Sequence, residues 1–143
     1  MLVRVLAVVA LAWLILLPPL FTDGACTREF DAETARMQSE QPQYRTPEMA
    51  RAYWTGREAS YQFLTYDQCR KSRPRYVETC GKGPMVIGHV PVRNMICRFY
   101  RDDEIRVQLQ YDDRGRLDRV QADMSPFKSF PVPFTDHQIH WAR

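Results

Sequence analysis

No acidic side chain occurs before Asp23, and the only base before it is Arg4. From Val5 to Phe21 the chain carries seventeen residues without a charge or a polar side chain. Apolar residues on every face exclude this stretch from a water-soluble amphipathic helix. Lysine is scarce, with three against seventeen arginines, a preference spread along the whole chain that carries no spatial information. There is no CxxC, which leaves a thioredoxin-like redox site or a zinc ribbon without its spacing. GxSxG, HExxH and a glycine-rich phosphate loop are missing too, as are internal repeats and low-complexity linkers. After residue 22, nineteen bases face seventeen acids, without the basic excess that a nucleic-acid binder uses.

The apolar run is therefore an address or an anchor. Seventeen helical residues rise roughly 26 Å, near the lower limit for a hydrocarbon core of about 30 Å. Residues 1–24 read as a signal peptide or a signal-anchor transmembrane helix, with Pro18 and Pro19 breaking its last turn. Arg4 keeps the N-terminus inside and sends residues 25–143 out, to the periplasmic or secreted side. Three outcomes are open. The helix is retained; it is cleaved, after Gly24 with Thr22 and Gly24 as the small residues or after Ala25 with Asp23 at a site that wants a small neutral side chain; or Cys26 in "TDGAC" takes a lipid.

Four cysteines, Cys26, Cys69, Cys80 and Cys97, read in an exported chain as two disulfides with three possible connectivities. Cys69–Cys80 with Cys26–Cys97 is preferred, because the first closes a polar connection and the second ties the start of the domain to its sheet. With 45% hydrophobic and 26% charged residues, the exported part suits one globular domain rather than a disordered tail.

Its pattern predicts an α+β fold with short helices leading into a disulfide-stapled antiparallel meander. "DAETARMQSEQ" predicts a helix capped by Asp31 and stopped before Pro42. "TPEMARAYWTG" predicts another, with Thr46 as N-cap, Pro47 at the first helical position and Gly56 as stop. Residues 57–72 fit either a strand through Tyr61 and Phe63 or a helix through Phe63, Tyr66 and Cys69. "MVIGHVPV" reads as an edge strand or bulge because of Gly88 and Pro91. "NMICRFYRDDE" reads as a strand with Met95, Cys97 and Phe99 inward. In "IRVQLQYDDRGRLDRVQADM", Ile105, Val107, Leu109 and Tyr111 alternate with a wet face. Gly115 reverses the chain, and a bulge precedes Val120. Residues 125–143 form a Pro/Phe-rich extended tail in which Ile139 and Trp141 alternate as a short strand.

That hairpin resembles the strand–turn–strand of small outer-membrane assembly lipoproteins and of β-lactamase-inhibitor-like modules, over about twenty residues. Those are α+β domains that bind other proteins, so the resemblance implies a binding role and assigns no site residue.

Two surfaces fit a partner. One is the outward sheet face, with Arg98, Tyr100, Arg106, Gln108, Gln110, Arg119 and Gln121. The other is the tail, with Phe127, Phe130 and Phe134. His137 and His140 would face opposite ways on a strand, which argues against a metal pair. The acids Asp102, Asp103, Glu104, Asp112 and Asp113 lack EF-hand spacing. No cofactor is called for. The expectation is an exported, membrane-tethered protein-binding module, acting as accessory subunit or inhibitor of another envelope or membrane protein. The rival is a small extracytoplasmic hydrolase built on His89, His137 or His140 and a carboxylate.

Overall fold

The computed structural model describes residues 2–57, 59–72, 80–100, 104–124 and 137–142; the side chains of residues 2, 3, 14–23, 99, 100 and 137 are not described. The tail phenylalanines Phe127, Phe130 and Phe134 and the turn acids Asp102 and Asp103 lie outside the described residues.

Helix α1 runs unbroken from Leu2 to Ser39. The expected break at Pro18–Pro19 does not occur, and Asp31 sits inside the helix rather than capping a new one. Each proline removes one N–H donor, yet the helical backbone continues through both positions. In the first described turns, Val5, Leu6, Val8, Val9, Leu11 and Trp13 are all exposed. Burial begins at Cys26 and repeats at Phe30, Thr34 and Met37, a helical stripe that faces the sheet. Among the described residues, no helix is long and apolar enough to cross a membrane; ten side chains of the stretch, 14–23, lie outside that statement.

A 3-10 turn, Gln41–Tyr44, leads to α2, Pro47–Thr55. The cap is the expected one: Thr46 Oγ1 accepts the Met49 amide at 3.3 Å, and the Gly56 amide closes onto Ala52 at 3.0 Å. Residues 57–72 divide between the two sequence readings: strand β1, Ser60–Leu64, takes Tyr61 and Phe63, and helix α3, Tyr66–Ser72, keeps Tyr66 and Cys69 without Phe63. Thr65 and Gln68 cap α3 reciprocally, each side chain accepting the other's backbone amide.

The remaining strands are β2, Met85–Pro91, β3, Glu104–Tyr111, β4, Leu117–Met124, and β5, His137–Trp141. They pair antiparallel in chain order, β1-β2-β3-β4-β5, as a meander. The turn after β3 has Gly115 at φ 72°. Asp112 Oδ1 accepts the amides of Arg114 and Arg116 there. Asp118 is the extra residue of the expected bulge, since Tyr111 pairs with Leu117 and Gln110 with Arg119. One sheet face, with Val86, Ile105, Val107, Leu109, Tyr111, Val120, Ala122 and Met124, forms the main core with α1 and α2.

Three further expectations are corrected. β2 lies between β1 and β3, so it is no edge strand. Its Gly88 makes room for the Trp54 ring, which would sit 2.3 Å from an added Cβ, and Pro91 comes only at the strand's last position. Residues Met95–Tyr100 form helix α4, not a strand. Asn94 Oδ1 accepts the Ile96 and Cys97 amides and starts the helix locally. The third concerns the wet face of β3: Gln108 and Gln110 are buried. A second, smaller core of Leu64, Cys69, Cys80, Met85 and Ile87 forms on that side, and Gly81 packs on Gln110.

The cysteines lie at disulfide distance in the preferred pairs. Cys26–Cys97 joins α1 to α4, and Cys69–Cys80 joins α3 to the approach of β2. Such pairs suit an oxidising compartment.

Candidate functional site

Strand alternation and register build the second sheet face row by row. Ser60, His89, Arg106, Asp123 and Gln138 are successive cross-strand partners on all five strands. The next row holds Gln62, Ile87, Gln108, Gln121 and His140. In the first row, the nearest guanidinium and carboxylate atoms of Arg106 and Asp123 are 3.9 Å apart. His89 Nδ1 and Glu104 Oε1 are 2.7 Å apart, diagonal neighbours on β2 and β3. Arg119 lies beyond, exposed, beside His140, Trp141 and Ala142 at a shallow cleft of about 250 Å³.

Of the candidate site residues, Arg106, Gln108 and Arg119 thus share one face, with Gln110 and Gln121 between them. Arg98 and Tyr100 do not join them, because α4 replaces the expected strand; Arg98 is exposed on that helix, and the side chain of Tyr100 is not described. Gln108 is only 7% exposed, which leaves it the framework of the face rather than its contact surface. His140, the cross-strand partner of Gln121, lies on this face, and the side chain of His137 is not described. Among the described residues, no cluster of three His, Cys, Asp or Glu is placed to hold a metal ion.

Sequence reasoning missed a charged cluster on the other side of the molecule. Glu33 accepts from Arg36 at 2.7 Å and from Arg57 at 2.6 Å. Arg57 also donates to the Tyr53 hydroxyl, which itself donates to Glu40 at 2.5 Å. The same guanidinium lies over Tyr53 and Trp54, 5.0 and 5.3 Å from their ring centroids. Burial pushes the Glu33 carboxyl above its ordinary value, with Arg36 opposing. Burial and the bond to Glu40 push the Tyr53 phenol far up. The cluster forms one wall of a cleft of about 490 Å³ that also meets Glu29, Val90 and Arg93.

A cleft of that volume is within the range of small-molecule sites, but such sites are mostly apolar, with few polar groups aimed inward. Here Glu33 is held by guanidinium groups, and Glu29 by the amides of Arg93 and Asn94. The geometry suits a brace between α1 and α2. Comparison with protein-family models, with curated proteins and with solved structures gives no match. Geometry and chemistry therefore carry the functional argument.

The signals for these groupings were unequal. Once β2 and β3 are paired, the side of the sheet that holds His89, Glu104 and Arg106 follows from alternation. Glu33 and Arg57 are far apart in sequence, and nothing local announced them.

Proposed function

We propose that this chain is an exported, membrane-tethered protein-binding module, an accessory subunit of an envelope or membrane complex or an inhibitor of immunity type. The observation that carries it is α1. Its first described turns expose apolar side chains on all sides, and the same helix is then packed and cross-linked into the domain. An exposed apolar cylinder is untenable in water, whereas a bilayer or a membrane-embedded partner satisfies it. In this reading residues 5–21 lie in the membrane and the domain on the periplasmic or secreted side, an oxidising setting that suits its cysteine pairs.

The partner surface in this reading is the sheet face around Arg106, Arg119, Gln121 and His140. Arginine is enriched at interface hot spots, and its fork fits carboxylates on a partner. The Phe127, Phe130 and Phe134 segment is the proposed second surface. Mild-detergent extraction of tagged protein tests the reading. It expects one stoichiometric envelope partner whose recovery falls when Arg106 and Arg119 are both changed to glutamate. Recovery of the chain alone, or of a partner indifferent to that change, overturns it.

One observation favours a second reading, a small extracytoplasmic hydrolase. His89 is held by Glu104 at 2.7 Å, and Ser60 is its direct neighbour on β1. An imidazole oriented by a carboxylate beside a hydroxyl has the parts of a general base and a nucleophile. Turnover of an envelope ester or amide that is lost in His89→Ala, in protein with no partner, would replace the binding reading.

A further inference from the structure

α4 is cross-linked to α1 just past the apolar run. Two contacts fix its direction along α1. At its start, the Glu29 carboxylate accepts the amides of Arg93 and Asn94; three residues on, Cys97 joins Cys26. Advancing from 94 to 97 on α4 therefore matches going back from 29 to 26 on α1. The two helices run antiparallel, and α4 descends toward the apolar run. Cys26 is five residues past Phe21, about 8 Å along the helix axis.

The surface of this hairpin is unlike the rest of the domain. Met95 and Ile96 are 81% and 54% exposed, side by side on α4. Arg28 on α1 and Arg98 on α4 are exposed too, whereas Arg93, before the far end of α4, borders the cleft beside Glu33. Arg28 also reaches backward, its Nη1 only 3.8 Å from where a Cβ on Gly24 would be, one turn nearer the apolar run. Exposed apolar side chains near cations, on a helix that descends toward an apolar run, have the chemistry of the headgroup zone of an anionic bilayer. The run is also several ångströms short of a typical hydrocarbon thickness, a mismatch that draws the flanking turns into the interface.

We infer that α4 is a second membrane contact, in which Met95 and Ile96 enter the headgroup region of an anionic phospholipid surface and Arg28 and Arg98 pair with phosphates. The inference rests on the tether reading above. With two contacts on one cross-linked hairpin, the domain keeps a fixed height and tilt, so the outer sheet face is presented to a partner at a set orientation.

The test uses the unaltered full chain in vesicles of phosphatidylcholine and phosphatidylglycerol containing a diazirine phospholipid reactive at headgroup depth and another reactive in the acyl chains. After illumination, adducts are located by mass spectrometry. The expected result is acyl-chain labelling within residues 5–21. Headgroup-depth labelling of Met95 and Ile96 should exceed that of the exposed Gln138 and His140 several-fold. Labelling of residues 5–21 with α4 no better labelled than Gln138 overturns the α4 contact while the tether stands, and points to a protein covering Met95 and Ile96. Absence of labelling in residues 5–21 overturns the tether itself, and the α4 contact with it.

Discussion

Gly88 and Trp54 illustrate how single positions decide this fold. An added Cβ at Gly88 would lie 2.3 Å from the Trp54 ring, inside the main core. Gly88→Ala should therefore destabilise by about 1–3 kcal/mol or more, since a close-packed interior yields only by off-rotamer shifts. Gly56→Ala is the control: the nearest atom to its Cβ is 3.5 Å away and its φ of −76° is ordinary, so urea unfolding should show little change. Arg57→Ala removes one of the two guanidinium partners from Glu33 and should cost about 2 kcal/mol at neutral pH. The Glu33 pKa is raised in the folded protein, so folding favours its protonated form. That contribution is complete below 4.5 and is lost as pH rises through the raised value. The loss caused by Arg57→Ala should accordingly shrink as pH falls from neutral, through the raised value, to 4.5; a loss equal at both ends of that window would show that Glu33 is not the group left exposed to the deficit.

Among elements, the hydroxyl of Tyr111 on β3 donates to the Tyr44 carbonyl at 2.8 Å, and the Tyr44 hydroxyl donates to the Met37 carbonyl at 2.6 Å. This ladder ties the end of β3 through the 3-10 turn to α1. Burial raises both phenols, Tyr44 to about 12, so neither ionises in the physiological range. Tyr111→Phe should cost about 1 kcal/mol, measured by thermal or urea unfolding. The two cysteine pairs close loops of unequal length, with sequence separations of 71 and 11. On loop entropy, losing Cys26–Cys97 should cost on the order of 4 kcal/mol and losing Cys69–Cys80 about 3. Paired serine variants compared by urea unfolding check that order. Loss of the first pair should also loosen α4 from α1, visible as faster amide exchange at Ile96 and Arg98.

At the level of the whole molecule, a near-neutral domain on an apolar helix presents a polar sheet face to its surroundings. If Arg106 and Arg119 form a hot spot, Arg106→Glu with Arg119→Glu should weaken partner binding by about tenfold or more while leaving thermal unfolding nearly unchanged. Surface calorimetry or biolayer measurements on the purified pair would read the first quantity, and circular dichroism the second.

Local chemistry was legible in the sequence wherever one physical effect dominated. The Thr46 cap, Pro47 and Gly56 bound α2 because capping depends on neighbouring residues. The β3–β4 hairpin and its bulge were readable because period-2 burial and a left-handed glycine leave few alternatives. The preferred cysteine pairs followed from which connections needed closing. Other features were decided only by distant packing. α4 has a strand-like spacing of Met95, Cys97 and Phe99, but the Asn94 cap, the Glu29 carboxylate and the bond to Cys26 make it a helix against α1. Gly88 and Pro91 suggested a sheet edge, yet Trp54 from α2 is what the glycine admits. Gln108 and Gln110 looked solvated by alternation, and a second core across Met85 and Ile87 buries them. Alternation states which residues share a face; what covers that face depends on elements remote in the chain, and only the tertiary structure brings those together.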